Sequence, residues 1–267
     1  MNTKNLTNDL AAIRSANPLV HNITNHVVMN ITANALLALG ASPVMAHAKE
    51  EVADMTRIAG ALVLNIGTLS PSWVESMHLS LQTARENGKP VVLDPVGAGA
   101  TSYRTETART LLDTGGVNVL RGNASEILAL TPAGGQTKGV DSTDKADHAI
   151  DAIRSLAKKY NLVVSVSGKT DHIVTSDRHI RVRNGTVLMS RITGMGCVAS
   201  AFTGAFCAVN DDPLHAAAHA MAILGIAGEI AEMNSTGPGS LQIALLDTLT
   251  NLEQETVAKM AQIDEKS

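Results

Sequence analysis

Short runs of β-branched residues alternate with amphipathic stretches along the first two thirds of the chain. Six runs rich in Val, Ile and Leu are predicted to be strands, at 18–24, 42–47, 61–67, 90–97, 117–123 and 162–168. The segments between them place apolar residues at helical spacing, as in HVVMNITANALLALG, KEEVADMTRIAG and SWVESMHLSLQTARENG. Strands separated by helices predict an α/β fold, in which a parallel sheet is covered by helices on both faces.

The pattern changes after residue 168. Three closely spaced β-like runs follow, DHIVTSD, RHIRVRN and TVLMSRIT (186–193), and they predict an antiparallel edge on the same sheet. Helices are then predicted at 196–210, 213–233 and 239–260. No change in composition, low-complexity linker or internal repeat divides the chain, so residues 1–267 are predicted to form a single domain.

Composition and charge narrow the functional classes. The chain is 45% hydrophobic and has a net charge of −4, with Lys and Arg scattered, so it offers no polybasic face to a nucleic acid. Aromatic residues make up 2%, which argues against platforms for stacking bases. The polar N-terminus lacks the apolar core of a signal peptide, and the longest apolar stretch, 216–228, is short for a membrane span. We therefore expect a cytoplasmic protein with no membrane or nucleic-acid partner.

Several short motifs resemble known binding signatures but lack the context that these require. GMGCVA (194–199) fits the dinucleotide pattern G-x-G-x-x-A, yet no strand with an acidic residue follows about 20 positions later. SGKT (167–170) ends like a Walker A loop, but Val163 stands where the first glycine is needed. His215 and His219 have the spacing of zinc ligands without a third ligand. The two cysteines, predicted on one helix, are about 15 Å apart and too distant for a disulfide.

Most of the predicted strands end in a cluster of Gly, Asn, Asp or Pro. These clusters are HNITN, LNIGT, LDPVGAG, LRGNASE and VSGKTD. In open α/β sheets, ligands bind just beyond the carboxyl ends of the strands, so the clusters predict one composite site. For any one of them, the alternative is that a strand-to-helix turn needs such residues.

Three groups of residues in the sequence fit phosphoryl transfer. The turn GMGC, with Gly194 and Gly196, opens a predicted helix, so its unpaired backbone N–H groups can bind an anion. Asp94 and Glu126 follow predicted strands and suit Mg²⁺, either directly or through water. Arg121 adds a fixed positive charge. An anion hole, carboxylates and a cation are the groups that stabilise a transferring phosphoryl group.

The ordered set of motifs resembles the hydroxyethylthiazole kinase family. NASE (123–126) is similar to the N-x-x-E motif of the ribokinase-like superfamily, and the GMGC turn is similar to its G-x-G-D anion hole. The segments that resemble this family, in order, are HNITNHVVMNITANALLALGASPVMAHA, LNIGTL, LDPVGAGAT, RGNASEI, TGMGC and STGPGSL. The resemblance covers nearly the whole chain. It implies a ribokinase-like three-layer sandwich with a mostly parallel central sheet, and a homotrimer with active sites at subunit interfaces.

The same resemblance implies a reaction and assigns roles by position. The reaction is the phosphorylation of the primary alcohol of 4-methyl-5-(2-hydroxyethyl)thiazole by ATP with Mg²⁺, a step of thiamine salvage. The residues assigned to the thiazole are Met45, Gly67 and Gly194. Those assigned to ATP are Arg121, Ser167 and Asn25, and those assigned to the metal are Asp94 and Glu126. The residues assigned to catalysis are Cys197, Gly194 and Gly196.

Cys197 stands where most ribokinase relatives have an aspartate base. A thiol has a pKa of about 8.5, and a helix N-terminus lowers it, so we expect some thiolate near neutral pH and a poor base. Met195 and Ser167 depart from the threonines of the family pattern, but neither change affects the backbone donors of the turn.

Three other functions stay open. The first is a kinase of another small alcohol or of a pyrimidine, and the second is an ATP-dependent dehydratase of hydrated nicotinamide cofactors, both with the same fold. The third is a sensor of a thiazole or a nucleotide without catalytic activity. Asp94, Glu126 and the glycine turn argue against the sensor, because binding alone does not need this set.

Overall fold

Strands and helices alternate in the computed structural model, which describes residues 3–131 and 143–266. The strands are β1 (Leu19–Ile23), β2 (Ser42–Val44), β3 (Ala61–Asn65), β4 (Val91–Asp94), β5 (Val119–Asn123), β6 (Val163–Ser167), β7 (Asp171–Val174), β8 (His179–Val182) and β9 (Ile263–Lys266). The helices are α1 (Thr3–Ala16), α2 (Met29–Leu39), α3 (Val52–Ile58), α4 (Pro71–Glu86), α5 (Ser102–Thr114), α6 (Ala124–Leu130), α7 (Thr143–Tyr160), α8 (Met195–Cys207), α9 (Pro213–Met233), α10 (Pro238–Asn251) and α11 (Gln254–Met260).

All of these strands belong to one sheet, in the order β2-β1-β3-β4-β5-β6-β7-β8-β9. The first six strands in that order are parallel, which confirms the predicted parallel sheet, and β7 to β9 are antiparallel. Asn65 pairs with Asp94, and Asn123 pairs with Ser167, so the carboxyl ends of neighbouring strands lie in register. The polar strand ends therefore meet along one edge.

The central strands β1 and β3 to β7 contribute to two apolar layers. On one face, Val63 and its neighbours pack against the buried residues of α2, α8 and α9, and on the other face Leu62 and Leu64 pack against α4 and α5. The alternation follows from the two-residue period of a strand. Helix α8 lies very close to the sheet: a Cβ on Gly204 would come within 2.6 Å of Val63 Cγ2. The predicted three-layer α/β sandwich is confirmed.

The predicted strand at 186–193 is wrong. Residues Val187–Arg191 form a 3₁₀ helix instead, and Thr186 Oγ1 caps it by accepting a hydrogen bond from Leu188 N at 3.2 Å. The sheet edge beside β8 is taken by β9 from the end of the chain, which pairs Ile263 with Val182. The local β-like composition did not reveal that a distant segment competes for this edge.

The predicted helix at 239–260 is two helices, α10 and α11, separated at Leu252 and Glu253. The guanidinium of Arg14 donates to the carbonyl oxygens of Leu249 and Leu252, each at 2.8 Å. These carbonyls lie at the end of α10 and would otherwise lack intrahelical partners. A residue of α1 thus satisfies the end of α10, an arrangement that no local pattern indicates.

Helix α9, Pro213–Met233, extends beyond the apolar stretch 216–228 at both ends. With 21 residues and a mean hydropathy of 1.4, it is the one helix in the described ranges with the length and composition of a membrane span, so the expectation that this stretch is too short is wrong. However, 83% of the apolar 18-residue stretch of this helix is buried within the protein. The helix packs against α8 and α10 as a core element, and its apolar face is covered by the fold itself.

Candidate active site

Most of the residues assigned by the resemblance lie along the carboxyl edge of the sheet. Met45 follows β2, Asn25 follows β1, and Gly67 follows β3. Asp94 then ends β4, and Arg121 and Ser167 lie on β5 and β6. The strand order β2-β1-β3-β4-β5-β6 places the thiazole assignments at β2 and β3, with Asn25 of the ATP set between them at β1. The metal assignment Asp94 follows at β4, and the other two ATP assignments follow at β5 and β6. The sequence predicted that the clusters form one composite site, and the topology brings them to one edge.

A line of hydrogen bonds connects three of these strand ends. Asn25 Nδ2 donates to Asn65 Oδ1 at 2.9 Å, and Asn65 Nδ2 donates to Asp94 Oδ2, also at 2.9 Å. The backbone N–H of Gly67 donates to the same Asn65 oxygen at 3.0 Å. Gly67 has no room for a side chain, because a Cβ there would come within 2.5 Å of Asn25 Nδ2. Gly67 therefore keeps Asn25 in place, whatever its contact with a substrate.

Asp94 is a buried carboxyl with only 2% of its surface exposed. Its Oδ2 accepts hydrogen bonds from Asn65 and, at 2.7 Å, from Ser200 Oγ on α8. Burial raises the pKa of Asp94 to about 7, since the charged form is poorly solvated there, and the nearby Glu126 charge adds to this. Arg121 and the hydrogen bonds from Ser200 and Asn65 lower it in part. A cation bound at this site would favour the charged form.

Glu126 is held by two backbone donors. Its Oε1 accepts from Gly97 N and its Oε2 from Asn123 N, each at 2.9 Å. In return, Asn123 Oδ1 accepts from Glu126 N, which completes a capping box at the start of α6. The N-x-x-E motif therefore has a structural role as a helix cap, and it joins this cap to the loop after β4. Both carboxylate oxygens already accept one hydrogen bond each.

The glycine turn begins α8. Gly194 is its N-cap with φ 87°, a left-handed conformation that favours glycine, and a Cβ there would come within 2.8 Å of Val28 Cγ1. The carbonyl oxygen of Gly196 accepts from Arg121 Nη1 at 2.8 Å, and a Cβ on Gly196 would meet that nitrogen at 2.9 Å. The turn thus leaves its first N–H groups free of a capping side chain and presses against the Arg121 guanidinium.

Cys197 lies in the first turn of α8, and its Sγ is 3.5 Å from Asn25 Nδ2. Burial, together with the charge of Asp94, raises the pKa of the Cys197 thiol to about 11, although Asn65 and Asn25 lower it in part. The expectation of a thiolate near neutral pH is wrong, because burial beside a carboxylate outweighs the helix N-terminus. Cys197 and Cys207 are both free thiols, as the spacing predicts.

A cavity of about 640 Å³ opens beside the glycine turn. Arg121, Ser167, Met195 and Gly196 line it on the side of the sheet and α8. Asp171, at the start of β7, also lines it and accepts from Gly168 N at 3.0 Å. Burial raises the pKa of Asp171 to about 6, while the Gly168 hydrogen bond and Arg121 lower it in part. The two side chains assigned to ATP on β5 and β6 thus face one cavity.

The opposite end of the edge carries aromatic rings near Met45. The indole of Trp73 lies 4.7 Å from the His26 ring and 4.6 Å from the His47 ring, measured between centroids. Met45 is partly exposed between β2 and His47. No hydrogen bond or ring contact is found that connects Met45 to the glycine turn within the described residues, so its contact with a substrate stays a prediction.

His215 and His219 do not form a metal site. His219 Nδ1 contacts Asp9 Oδ2 at 2.6 Å, and His215 Nδ1 contacts Asp212 Oδ2 at 2.7 Å. In the part of the chain that the structure describes, no group of three or more His, Cys, Asp or Glu side chains could hold a metal ion. His219 thus joins α9 to α1, and His215 contacts the residue that caps its own helix.

Sequence reasoning missed three polar side chains of the site. Asn65 belongs to the cluster LNIGT and could have been singled out as the last residue of a strand. Ser200 lies within an apolar helix, where nothing local marks it. Arg104, from α5, donates to the carbonyl oxygens of Ile66, Val96 and Gly67 and so holds the loops after β3 and β4 together.

Comparison with solved structures defines the class of the fold. Pyridoxal kinase from Staphylococcus aureus, in complex with AMP-PCP and pyridoxal, superposes with a TM-score of 0.63 at 13% identity, over 93% of this chain and 97% of that one. A ribokinase-like superfamily protein from Enterococcus faecalis V583 gives a TM-score of 0.58, also at 13% identity, over 93% and 95%. The fold is therefore ribokinase-like.

Sequence similarity then identifies the family. The model of the hydroxyethylthiazole kinase family matches residues 10–255, and the chain belongs to this family of kinases. Hydroxyethylthiazole kinase from Syntrophus aciditrophicus is 57% identical over 253 residues, covering 94% of each chain. The enzyme of that name from Leptospira biflexa serovar Patoc is 52% identical and covers 95% of each. The structure of the hydroxyethylthiazole kinase protein from Pyrococcus horikoshii OT3 gives a TM-score of 0.91 at 44% identity, over 99% and 100%.

Proposed function

We propose that the protein transfers the γ-phosphoryl group of ATP to the primary alcohol of 4-methyl-5-(2-hydroxyethyl)thiazole, a step of thiamine salvage. Family membership supports the reaction. The observation that carries the proposal is the order of the site along the sheet edge. The nucleotide cavity lies at β5 and β6, a buried carboxylate lies at β4, and the thiazole assignments lie at β2 and β3. Asn25, at the end of β1 between them, connects to that carboxylate through Asn65.

The cavity of Arg121 and Ser167 supports nucleotide binding. Arg121 has one N–H group committed to the Gly196 carbonyl, and its buried Nε has no partner among the described residues. A buried unpartnered donor is costly, and a phosphate oxygen would satisfy it. The N–H groups at the start of α8 have no capping side chain, so they are available to stabilise the negative charge of a transferring phosphoryl group. In this proposal Asn25 lies close to the phosphates.

The residues present fit a magnesium ion bound together with a nucleotide. Only Oδ2 of Asp94 hydrogen-bonds to described residues, so its Oδ1 is available as an oxygen ligand. Glu126 would act directly or through water, since each of its oxygens accepts only one hydrogen bond from the described residues. Mg²⁺ is usually bound by one or two carboxylates together with phosphates and water, and Asp94 and Glu126 would supply the carboxylates. When bound, the ion would neutralise charge on the phosphates.

Cys197 is proposed to act as a neutral neighbour of the reacting alcohol. Its raised pKa leaves it protonated, so it does not attack phosphorus. The transition state of phosphoryl transfer is loose, and the alcohol keeps its proton until late. The backbone N–H groups of the turn then contribute more stabilisation than a base.

We further propose a single kinase domain that works in the cytoplasm as a homotrimer, with active sites between subunits. Val27 is 64% exposed and Leu37 60% exposed, although both are large apolar residues. Val27 lies just before α2, beside the thiazole end of the edge, and Leu37 lies near the other end of the same helix. A second copy of the chain would cover them and close this end. Light scattering should give the trimer mass at micromolar concentration, and a fully active monomer would refute this part.

A coupled assay of ADP release tests the reaction. Hydroxyethylthiazole should give substrate-dependent turnover with ATP and Mg²⁺, whereas pyridoxal and hydroxymethylpyrimidine should give little. Turnover with another alcohol alone would support a kinase of different specificity. Consumption of hydrated NADH would support the dehydratase, and ligand binding without any turnover would support a sensor.

A further inference from the structure

We infer that Asn65 and Ser200 are positioning residues, which hold the Asp94 carboxylate by Oδ2 and so leave Oδ1 for the metal ion of the bound nucleotide. The inference rests on one part of the proposed function, namely that the protein binds a nucleotide together with a metal ion. The resemblance assigns a role to neither residue, and only Asn65 lies in one of the polar strand-end clusters, LNIGT. Both are almost fully buried, Asn65 being 1% and Ser200 0% exposed.

The amide of Asn65 has one orientation that fits its neighbours. Its oxygen accepts from two donors, Asn25 Nδ2 and Gly67 N, so its NH₂ group must face Asp94. Three of its hydrogen-bonding positions are therefore used by residues from three strand ends. A flipped amide would place an oxygen against the Asp94 carboxylate and an NH₂ group against two donors. The orientation of Asp94 is thus coupled to that of Asn25, which contacts Cys197 at 3.5 Å.

Ser200 fixes the same oxygen from the other side. Its hydroxyl donates to Asp94 Oδ2 at 2.7 Å from within α8, the helix that carries the glycine turn. A distance of this kind is typical of a hydrogen bond to a charged acceptor. Two donors on one oxygen prevent rotation of the carboxylate, and they connect the glycine turn with the end of β4. The other oxygen has no hydrogen bond from any described residue.

Two variants with matched controls test this role. Ser200→Ala and Asn65→Leu remove the donors, and Ser80→Ala and Asn22→Leu are the controls. Ser80 is a fully buried helix hydroxyl, and Asn22 is a strand amide that is 1% exposed. Among the described residues, the Ser80 hydroxyl has no hydrogen-bond partner and the Asn22 side chain bonds only to Val20 O. A thermal melt of each variant shows whether it is folded.

The first readout needs no turnover. Calorimetry gives the affinity for the non-hydrolysable nucleotide AMP-PCP in Mg²⁺ and in EDTA. The Mg²⁺ ratio, which is the affinity in Mg²⁺ divided by the affinity in EDTA, measures the contribution of the metal. Loss of one hydrogen bond to a charged oxygen should reduce this ratio about tenfold in Ser200→Ala, and by at least as much in Asn65→Leu. The affinity in EDTA should stay within about twofold of that of the unmodified protein, as should both values in the controls.

The second readout separates positioning from general damage. The kcat of both variants should fall about tenfold, while KM for the thiazole changes less than about twofold. A folded Ser200→Ala with an unchanged Mg²⁺ ratio and unchanged kcat would overturn the inference, and so would an unmodified protein in which Mg²⁺ does not affect AMP-PCP affinity. If the unmodified protein binds Mg²⁺ and AMP-PCP as expected but does not phosphorylate the thiazole, the proposed function fails and the inference is still tested by the ratio.

Discussion

Asn25 Nδ2 lies 3.5 Å from the Sγ of Cys197, a residue 172 positions later in the chain. The contact joins the end of β1 to the first turn of α8, and it continues through Asn65 to the Asp94 carboxylate. Because amide donors and a carboxylate surround the thiol, its chemistry depends on partners from three strands. Cys197 and Asp94 are the two ends of this line.

Cys197→Ala should keep measurable kinase activity. The thiol, with a pKa of about 11, is protonated near neutral pH and contributes little as a base. We expect kcat within about tenfold of the unmodified protein, measured by coupled ADP release. An inactive Ala variant, together with a phosphoenzyme trapped in the unmodified protein, would instead indicate covalent catalysis.

The ionisation of Cys197 can be followed directly. In a Cys207→Ala background, alkylation by iodoacetamide should be slow at neutral pH and rise about tenfold per pH unit up to the region of the thiol pKa, near 11. A rate that levels off at about pH 8 would show an ordinary thiol and contradict the raised pKa.

Asp94→Asn should abolish activity and still stabilise the ligand-free protein above neutral pH. The pKa of Asp94 is about 7 when folded and near 4 when unfolded, so the folded state binds more protons between these values. Stability from this group therefore falls as pH rises across that window. An Asn can place its oxygen to accept from Asn65 and Ser200 without the buried charge.

The measurement for Asp94→Asn is a thermal melt across pH. The variant should match the unmodified protein near pH 4 and melt higher at about pH 8, by roughly 2–4 °C for each kcal/mol gained. A variant that melts lower at every pH would mean that the carboxylate is needed for folding, contrary to the burial argument.

Gly67→Ala should lower kcat by about tenfold or more, because its Cβ would displace Asn25 Nδ2, which it would approach within 2.5 Å. Gly239→Ala is the matched control, since a Cβ at Gly239 meets nothing within 4 Å. Steady-state kinetics with the thiazole compare the two variants. Equal activity in both would show that Asn25 can move without consequence.

Arg121→Lys should raise KM for ATP about tenfold and leave KM for the thiazole nearly unchanged. Lysine keeps the charge but loses the fork that binds the Gly196 carbonyl and faces the cavity. Arg85→Lys is the control, because Arg85 also donates to a backbone carbonyl, that of Thr114, but outside the cavity. A larger effect on KM for the thiazole would place Arg121 at the acceptor instead.

Glu126→Gln should have two separable effects. The amide oxygen can accept from only one of the two backbone donors, Gly97 N or Asn123 N, and the NH₂ group faces the other, so stability falls by about 1 kcal/mol. Loss of the charge should also raise the Mg²⁺ concentration that is needed for half-maximal activity. A Mg²⁺ titration at constant ATP checks this, and turnover like that of the unmodified protein at low Mg²⁺ would remove Glu126 from the metal site.

The alternating pattern was sufficient for the six parallel strands and their helices. Strands such as Ala61–Asn65 are continuous apolar runs buried on both faces, and they carry their own signal whatever surrounds them. The polar ends of these runs also marked the site, because parallel strands must bring their carboxyl ends to one edge. Asp94, Glu126, Arg121 and the glycine turn were therefore recognisable from sequence.

Only the tertiary structure decided the features that depend on distant partners. The segment at 186–193 lost its expected place at the sheet edge because Ile263–Lys266 pairs there instead. The thiol of Cys197 is protonated because burial and Asp94 raise its pKa, whereas a helix N-terminus alone suggested the reverse. Ser200 became part of the site because α8 presses its apolar face against the sheet beside Asp94. Local residue types determine elements and turns, but edge pairing, desolvation and buried hydrogen bonds are set by segments far apart in the chain, whose contacts a local pattern does not contain.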